Sequence, residues 1–252
     1  MLESDFPALS TAQRAALHEA MIYVQQRYDP LGIIAGGSII RGNGGPTSDF
    51  DIYVIHDKPY RQRIQNRFSG VPAEIFVNNA ASVRSYFPSE CKAGRPITAH
   101  ILATGVPLLK RDEVVDQLIG EAHAWLKNRP DLTAAELLWK RYLIVDLLDN
   151  ARDLLEDDPA NASLFLHDAV RAMVDYAFLA VNRNLPRVKE SITVLEQEQP
   201  AIGRLLRSYY EADHHQLRFS VAEQIAVQLL GTAEFFEWES EPERFPNDQH
   251  SP

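Results

Sequence analysis

Hydrophobic and polar residues follow two different repeats along the chain, and the repeat changes near residue 115. Before that point, short apolar runs alternate with polar segments, which is typical of β-strands. These runs predict strands at residues 31–35, 49–55, 72–77 and 106–109. Helical spacing predicts helices at residues 11–28 and 92–104, and the polar, basic segment 58–69 is expected to be a connection or a short helix. The expected architecture is a small mixed sheet flanked by helices.

Beyond residue 115 the strand-like runs disappear and long amphipathic segments follow. They predict helices at residues 113–127, 133–156, 160–182, 201–213 and 220–238. The last residues are rich in proline and polar side chains, so we expect a flexible tail there. The sequence therefore predicts an α+β protein, with a sheet domain at residues 1–115, a helical bundle at 116–238 and a tail at 239–252.

The most informative segment joins the first two predicted strands. The first strand runs into Gly36, Gly37 and Ser38, and Asp49 and Asp51 begin the second strand after a glycine-rich polar loop. Side chains alternate in a strand, so the two aspartates project from one face, and like charges this close favour a cation between them. Hard oxygen ligands beside a turn of small residues suit Mg²⁺ that carries a nucleoside triphosphate.

Further residues near this segment complete the predicted site. Glu74 is the only acidic residue in the apolar run 72–77. We expect it beside the two aspartates, either as a third metal ligand or as a general base, two roles that the sequence does not separate. The backbone amides of Gly37 and Ser38, with the Ser38 hydroxyl, are predicted to hold the β- and γ-phosphates. Arg41 lies in the following loop and is predicted to reach the triphosphate.

Composition and charge narrow the class of protein. The 252 residues are 45% hydrophobic, enough for a sizeable core, and no apolar run reaches the roughly 18 residues of a membrane span. The formal net charge of −10 argues against a stable nucleic-acid complex, which needs a basic surface. It suits a small cationic acceptor, although ordinary solubility explains it equally well. The single Cys91 and the lack of a secretory signal lead us to expect a cytoplasmic monomer or homodimer without membrane association.

The pattern formed by Gly37, Ser38, Asp49 and Asp51 resembles the Gly-Ser and Asp-x-Asp signature of the nucleotidyltransferase superfamily related to DNA polymerase β. A sheet domain of this kind followed by a helical bundle is similar to the bacterial aminoglycoside nucleotidyltransferases, including the streptomycin and spectinomycin adenylyltransferases. The resemblance implies Mg²⁺-dependent transfer of AMP from ATP to a hydroxyl of a small acceptor such as an aminoglycoside, with release of pyrophosphate. Antibiotic modification enters by analogy alone.

The same resemblance implies binding residues in the helical half. In those enzymes a lysine, followed later in the chain by a tyrosine, contacts the nucleotide, and Lys189 with Tyr209 or Tyr210 has a similar though shorter spacing. Acceptor binding would fall to acidic residues of the bundle. Asp168 and Asp175 are two turns apart on one face of a predicted helix, so they are the preferred pair.

Two other interpretations stay open at this point. The same chemistry could act on a protein or an RNA, as in the minimal nucleotidyltransferases of toxin–antitoxin pairs, although those usually lack an attached helical domain. The chain could instead be a non-catalytic nucleotide-binding protein with a degenerate site. The presence of Ser38, Asp49, Asp51 and Glu74 counts against that third interpretation.

Overall fold

The computed structural model describes residues 9–242 and divides into two compact units, which meet in sequence between Pro130 and Asp131. The first unit contains a mixed sheet with helices, and the second is helical. The predicted α+β class is therefore confirmed. None of the helices within residues 9–242 is long and apolar enough to cross a membrane.

The sheet of the first unit has five strands in the order β3-β4-β2-β1-β5. Their bounds are Gly32–Gly36 (β1), Phe50–His56 (β2), Gln62–Phe68 (β3), Val71–Asn79 (β4) and Val106–Lys110 (β5). The central strand β2 runs parallel to β4, whereas every other pairing is antiparallel. Both β1 and β2 are largely buried, because they carry near-continuous apolar runs that are covered on both faces.

Helices cover the two faces of this sheet. Helix α1 (Thr11–Arg27) begins at a capping box, in which Ser10 and Gln13 satisfy each other's backbone amides, and it packs on one face. Helices α3 (Ala80–Lys92), α4 (Ile97–Thr104) and α5 (Val114–Trp125) cover the other face, where Tyr53 of β2 is buried. A single turn of helix, α2 (Gly37–Ile40), follows β1. Because α5 packs against α3 and α4, the compact unit ends later than the predicted boundary at residue 115.

Two elements of the first unit differ from the sequence-based expectation. The segment predicted as a connection or short helix is the edge strand β3, paired along its length with β4. Its pattern was misleading because an edge strand exposes most of its side chains, and only Ile64 and Phe68 pack inward. The helix predicted at 92–104 is two helices, since α3 ends at Lys92 and α4 starts at Ile97. Most of α3 was missed because it carries Pro88 internally.

The second unit contains four of the five helices predicted beyond residue 115, and one more. They are α6 (Ala134–Leu154), α7 (Pro159–Leu179), α8 (Ser191–Glu198), α9 (Pro200–Glu211) and α10 (His215–Leu230). A 3₁₀ turn, Val188–Glu190, precedes the unpredicted α8. Helix α10 ends before the predicted residue 238, because Gly231 adopts φ +80° and closes the helix in the left-handed conformation. Of the predicted tail, residues 239–242 have no regular secondary structure, and 243–252 lie outside the described residues.

Candidate functional site

The acidic residues predicted from the sequence come together at one end of the sheet. Asp51 of β2 is in register with Gly36 of β1 on one side and with Glu74 of β4 on the other. Residues in register on neighbouring strands project to the same face, so Asp51 and Glu74 lie side by side. Asp49 precedes β2 and lies close enough to influence the Asp51 carboxylate electrostatically. The structure thus assembles all three carboxylates.

The charge state of Asp51 reflects this crowding. Burial, followed by the nearby charges of Asp49 and Glu74, raises the pKa of Asp51 from 3.8 to about 6. Arg41 and Arg63 act in the opposite direction and lower that pKa, so both guanidinium groups lie within electrostatic range. At neutral pH the protein therefore holds an ionised carboxylate at a position where negative charge is costly. A cation at this place would relieve the cost.

Gly37 allows the chain to approach the aspartates closely. Its φ is +89°, and a Cβ atom built on it would lie 2.8 Å from Asp51 Oδ2 and 3.2 Å from the backbone oxygen of Asp49. Only glycine fits such a position without displacing its neighbours. The backbone that follows β1 therefore lies directly against the Asp51 carboxylate.

Ser48, which the sequence did not point to, accepts two hydrogen bonds from the loop that follows Gly37. The Ser38 hydroxyl donates to Ser48 Oγ at 2.8 Å, and the amide of Gly45 donates to the same oxygen at 2.8 Å. These two bonds connect both ends of the glycine-rich loop. The only sequence signal was a hydroxyl residue just before the aspartates, which is too common to be informative.

A side chain of strand β3 holds Glu74. Arg63 lies with Nε 2.7 Å and Nη2 2.6 Å from Glu74 Oε1, and Gln65 Nε2 donates to the same oxygen at 3.3 Å. From the sequence alone, Arg63 is one residue of the polar, basic segment 58–69. The signal that could have found it is the alternation of Arg63, Gln65 and Arg67, which places all three on one face once the segment is recognised as a strand.

An open depression of about 480 Å³ adjoins the carboxylates. It is lined by Asp49, Gln65, Asn66, Arg67, Pro72, Ala73 and Glu74. A volume of this order accommodates a small molecule. Whatever fills it lies directly beside two of the three carboxylates.

The donor set of the site suits a divalent ion at two of its three carboxylates. Asp49 and Asp51 offer oxygens in a region of excess negative charge, which fits the preference of Mg²⁺ for carboxylates. Within the described part of the chain, however, no group of three His, Cys, Asp or Glu side chains is arranged to hold a metal ion. At Glu74, Oε1 is in contact with Arg63.

The predicted nucleotide-binding residues of the second unit differ in accessibility. Lys189 is exposed in the 3₁₀ turn. Tyr209 has no exposed surface, and its ring packs against Tyr210 and His167, so it has no face through which to contact a ligand. Tyr210 is 47% exposed and is therefore the accessible alternative of the two. Burial raises the pKa of both phenols.

The predicted acceptor-binding pair lies on helix α7. Asp168 is exposed, and Asp175 is partly buried. Asp175 also forms a long ion pair with Arg171, with 3.9 Å between Arg171 Nε and Asp175 Oδ1. Asp168 therefore offers the more accessible carboxylate.

Comparisons with known proteins agree with this geometry. Residues 21–90 match the family model of the nucleotidyltransferase domain, and this range contains Gly37, Ser38, Asp49, Asp51 and Glu74. The crystal structure of a nucleotidyltransferase-like protein from Exiguobacterium sibiricum 255-15 is similar, with 13% sequence identity and a TM-score of 0.50. The match covers 86% of this chain and 74% of that one, and at this identity it shows the fold alone. No curated protein matches the chain. Residues 21–90 are therefore similar to a nucleotidyltransferase domain of the polymerase β type.

Proposed function

We propose that this protein transfers a nucleoside monophosphate, AMP from ATP, to a hydroxyl group of a small acceptor. The observation that carries the proposal is the placement of Asp51 between Gly36 and Glu74, with Gly37 packed against the Asp51 carboxylate, inside a nucleotidyltransferase domain. In the proposed reaction the acceptor oxygen forms a bond to the α-phosphorus. The bond to the bridging oxygen breaks, and pyrophosphate leaves with that electron pair.

Each residue of the site has a proposed part in this reaction. The backbone at Gly37 and Ser38, with the Ser38 hydroxyl and the Arg41 guanidinium, binds the β- and γ-phosphates. Asp49 and Asp51 would hold Mg²⁺, which when bound neutralises charge on the attacking and leaving oxygens. Glu74 either completes that ligand set or accepts the proton of the acceptor hydroxyl, and both roles fit its place beside Asp51.

Nucleotide binding provides the first test of the proposed metal site. We expect Mg·ATP at about 100 times its Kd to stabilise the protein by about 2.7 kcal/mol, because the ligand binds only the folded state. For a chain of this size the melting temperature should rise by roughly 5–10 °C, measured by differential scanning fluorimetry. ATP with excess EDTA should give a much smaller shift. Equal shifts with and without Mg²⁺ would show that Asp49 and Asp51 are not metal ligands.

The proposed acceptor is a small cationic molecule of the aminoglycoside type, bound through Asp168 and Asp175, with Lys189 and Tyr210 contacting the nucleotide. Charge-assisted hydrogen bonds of this kind contribute about 1.5–3 kcal/mol each. Asp168→Ala should therefore raise the acceptor KM by roughly 10- to 100-fold with little change in the KM for ATP. Asp175→Ala should have a smaller effect, because Arg171 already neutralises part of its charge.

Steady-state kinetics against the acceptor of highest turnover would measure these values. Asp153→Ala on helix α6 is a control that removes an acidic residue of the same unit that has no part in the proposal. An unchanged acceptor KM in both α7 variants would remove the two aspartates from the site. It would also leave the cationic acceptor without support.

A further inference from the structure

The contact between Arg63 and Glu74 joins an exposed side chain to a nearly buried one. The Arg63 side chain is 67% exposed, whereas that of Glu74 is only 13% exposed. Nε and Nη2 of Arg63 converge on a single oxygen, Oε1, with Gln65 Nε2 as a weaker third donor. The guanidinium can therefore move into solvent, while the carboxylate stays in the sheet.

Arg63 makes a second contact, with the ring of Phe76. Its guanidinium carbon lies 5.0 Å from the centre of the Phe76 ring, within the range of a cation–π interaction. The register of β3 and β4 explains both contacts, because it pairs Arg63 with Phe76 and Gln65 with Glu74 on one face of the sheet. Arg63 is thus positioned by the strand pairing rather than by chance orientation of a long side chain.

The position of this pair matters for a cation at the neighbouring aspartates. Glu74 lies in register with Asp51, so an ion between Asp49 and Asp51 would have Glu74 as its next available carboxylate. In this structure that carboxylate already has a cationic partner. The Arg63 guanidinium contacts Oε1 of Glu74, and its positive charge repels a dication nearby.

We infer that Arg63 competes with the divalent ion for Glu74 and thereby lowers the affinity of the site for the free ion. Arg63 is on this account a positioning residue, which acts through Glu74. The inference rests on the proposed function, since it requires that the three carboxylates receive a metal ion. It adds that Oε1 of the third carboxylate becomes available only when Arg63 leaves it.

The test measures binding of Mn²⁺ to the whole protein, with free Mn²⁺ followed by electron paramagnetic resonance in the absence of nucleotide. Arg63→Gln should lower the Kd for Mn²⁺ roughly two- to fivefold, the range expected when a partly exposed ion pair no longer competes. Arg63→Lys keeps the charge but loses the planar fork that places two donors on one oxygen. Its Kd should therefore lie between those of the wild type and Arg63→Gln.

Arg67→Gln is the matched control. Arg67 is on the same strand and the same face, but it donates from Nη1 to the backbone oxygen of Gly70 at 3.1 Å instead of contacting Glu74. Arg67→Gln therefore removes the same charge as Arg63→Gln, but it does not release the Glu74 carboxylate. The inference would be overturned if the Kd for Arg63→Gln equalled that for Arg67→Gln, or if it were larger than that of the wild type.

Asp51→Asn separates failure of this inference from failure of the proposed function. If the wild type binds Mn²⁺ and Asp51→Asn does not, the metal site stands, and the two arginine variants decide the role of Arg63. If the wild type binds no Mn²⁺, or Asp51→Asn binds it equally well, the proposed metal site and the inference fall together. Circular dichroism of each variant confirms that the fold is retained.

Discussion

Asp51→Asn is expected to abolish nucleotidyl transfer and to make the metal-free protein more stable. The substitution removes one of two proposed carboxylate ligands, so we expect activity to fall at least about a thousandfold. In the absence of metal it also removes a charge that burial, Asp49 and Glu74 make unfavourable. After allowance for partial exposure, the gain at neutral pH is about 2 kcal/mol, or roughly 4–8 °C in melting temperature. A destabilised, inactive variant would contradict the electrostatic part of the account.

The sign of the pH dependence gives a stricter check of the same prediction. The pKa of Asp51 is raised from 3.8 to about 6 in the folded protein, so the folded state binds the proton more tightly than the unfolded state. The cost is absent below about pH 4, grows as the pH rises to 6 and is complete above it. The stability advantage of Asp51→Asn over the wild type should follow this course in urea denaturation.

Asp57→Asn is the control for both measurements. Asp57 directly follows β2 and pairs with Lys58, and this hydrogen bond lowers the pKa of Asp57. The variant changes the same charge far along the strand from the carboxylate cluster. It should keep transferase activity and should not become more stable above pH 6. Equal behaviour of the two variants would mean that net charge alone explains the gain.

Gly37→Ala is the second substitution with a large expected effect. A non-glycine residue at φ +89° is strained by about 1–2 kcal/mol. The added methyl group would also lie 2.8 Å from Asp51 Oδ2, so the backbone or the carboxylate must move. We expect a further loss of about 1–3 kcal/mol from this overpacking and a fall in turnover of roughly a hundredfold.

Gly70→Ala isolates the strain from the clash. Gly70 has a similar φ of +83°, but nothing lies within 4 Å of the position that its Cβ would occupy. Gly70→Ala should lose only the stability that corresponds to the backbone strain, and its turnover should equal that of the wild type. Urea denaturation and transferase assays of both variants measure the difference. If Gly37→Ala and Gly70→Ala lose equal stability and equal turnover, the close approach of Gly37 to Asp51 does not contribute to activity.

The sequence was sufficient to predict the part of the site that depends on near neighbours in the chain. The apolar runs that end at Gly36 and begin at Phe50 predicted β1 and β2, and their short connection made Gly37, Asp49 and Asp51 approach one another. Glu74 was predicted because a single acidic residue interrupts an apolar strand. Register then places it beside Asp51, as a parallel neighbour of β2 requires.

Arg63 and Ser48 could not be predicted, because each depends on a pairing that the local pattern does not reveal. Strand β3 lies at the sheet edge, so its exposed polar residues obscure the alternation from which a strand is normally recognised. Without that strand, no argument places Arg63 on Glu74. In the helical unit, periodicity predicted α7 and α9, but it did not reveal that Tyr209 is fully buried while its neighbour Tyr210 is half exposed.

Transfer of labelled AMP is the most direct test of the central claim that Asp49 and Asp51 support nucleotidyl transfer. The wild type would be incubated with Mg²⁺ and ATP labelled at either the α- or the γ-phosphate, together with aminoglycosides, proteins or tRNA. We predict that the α-label enters an acceptor and the γ-label leaves as pyrophosphate in equal amount, and that Asp51→Asn does neither. The claim would be contradicted if no acceptor received the α-label and Asp51→Asn bound Mg·ATP as tightly as the wild type.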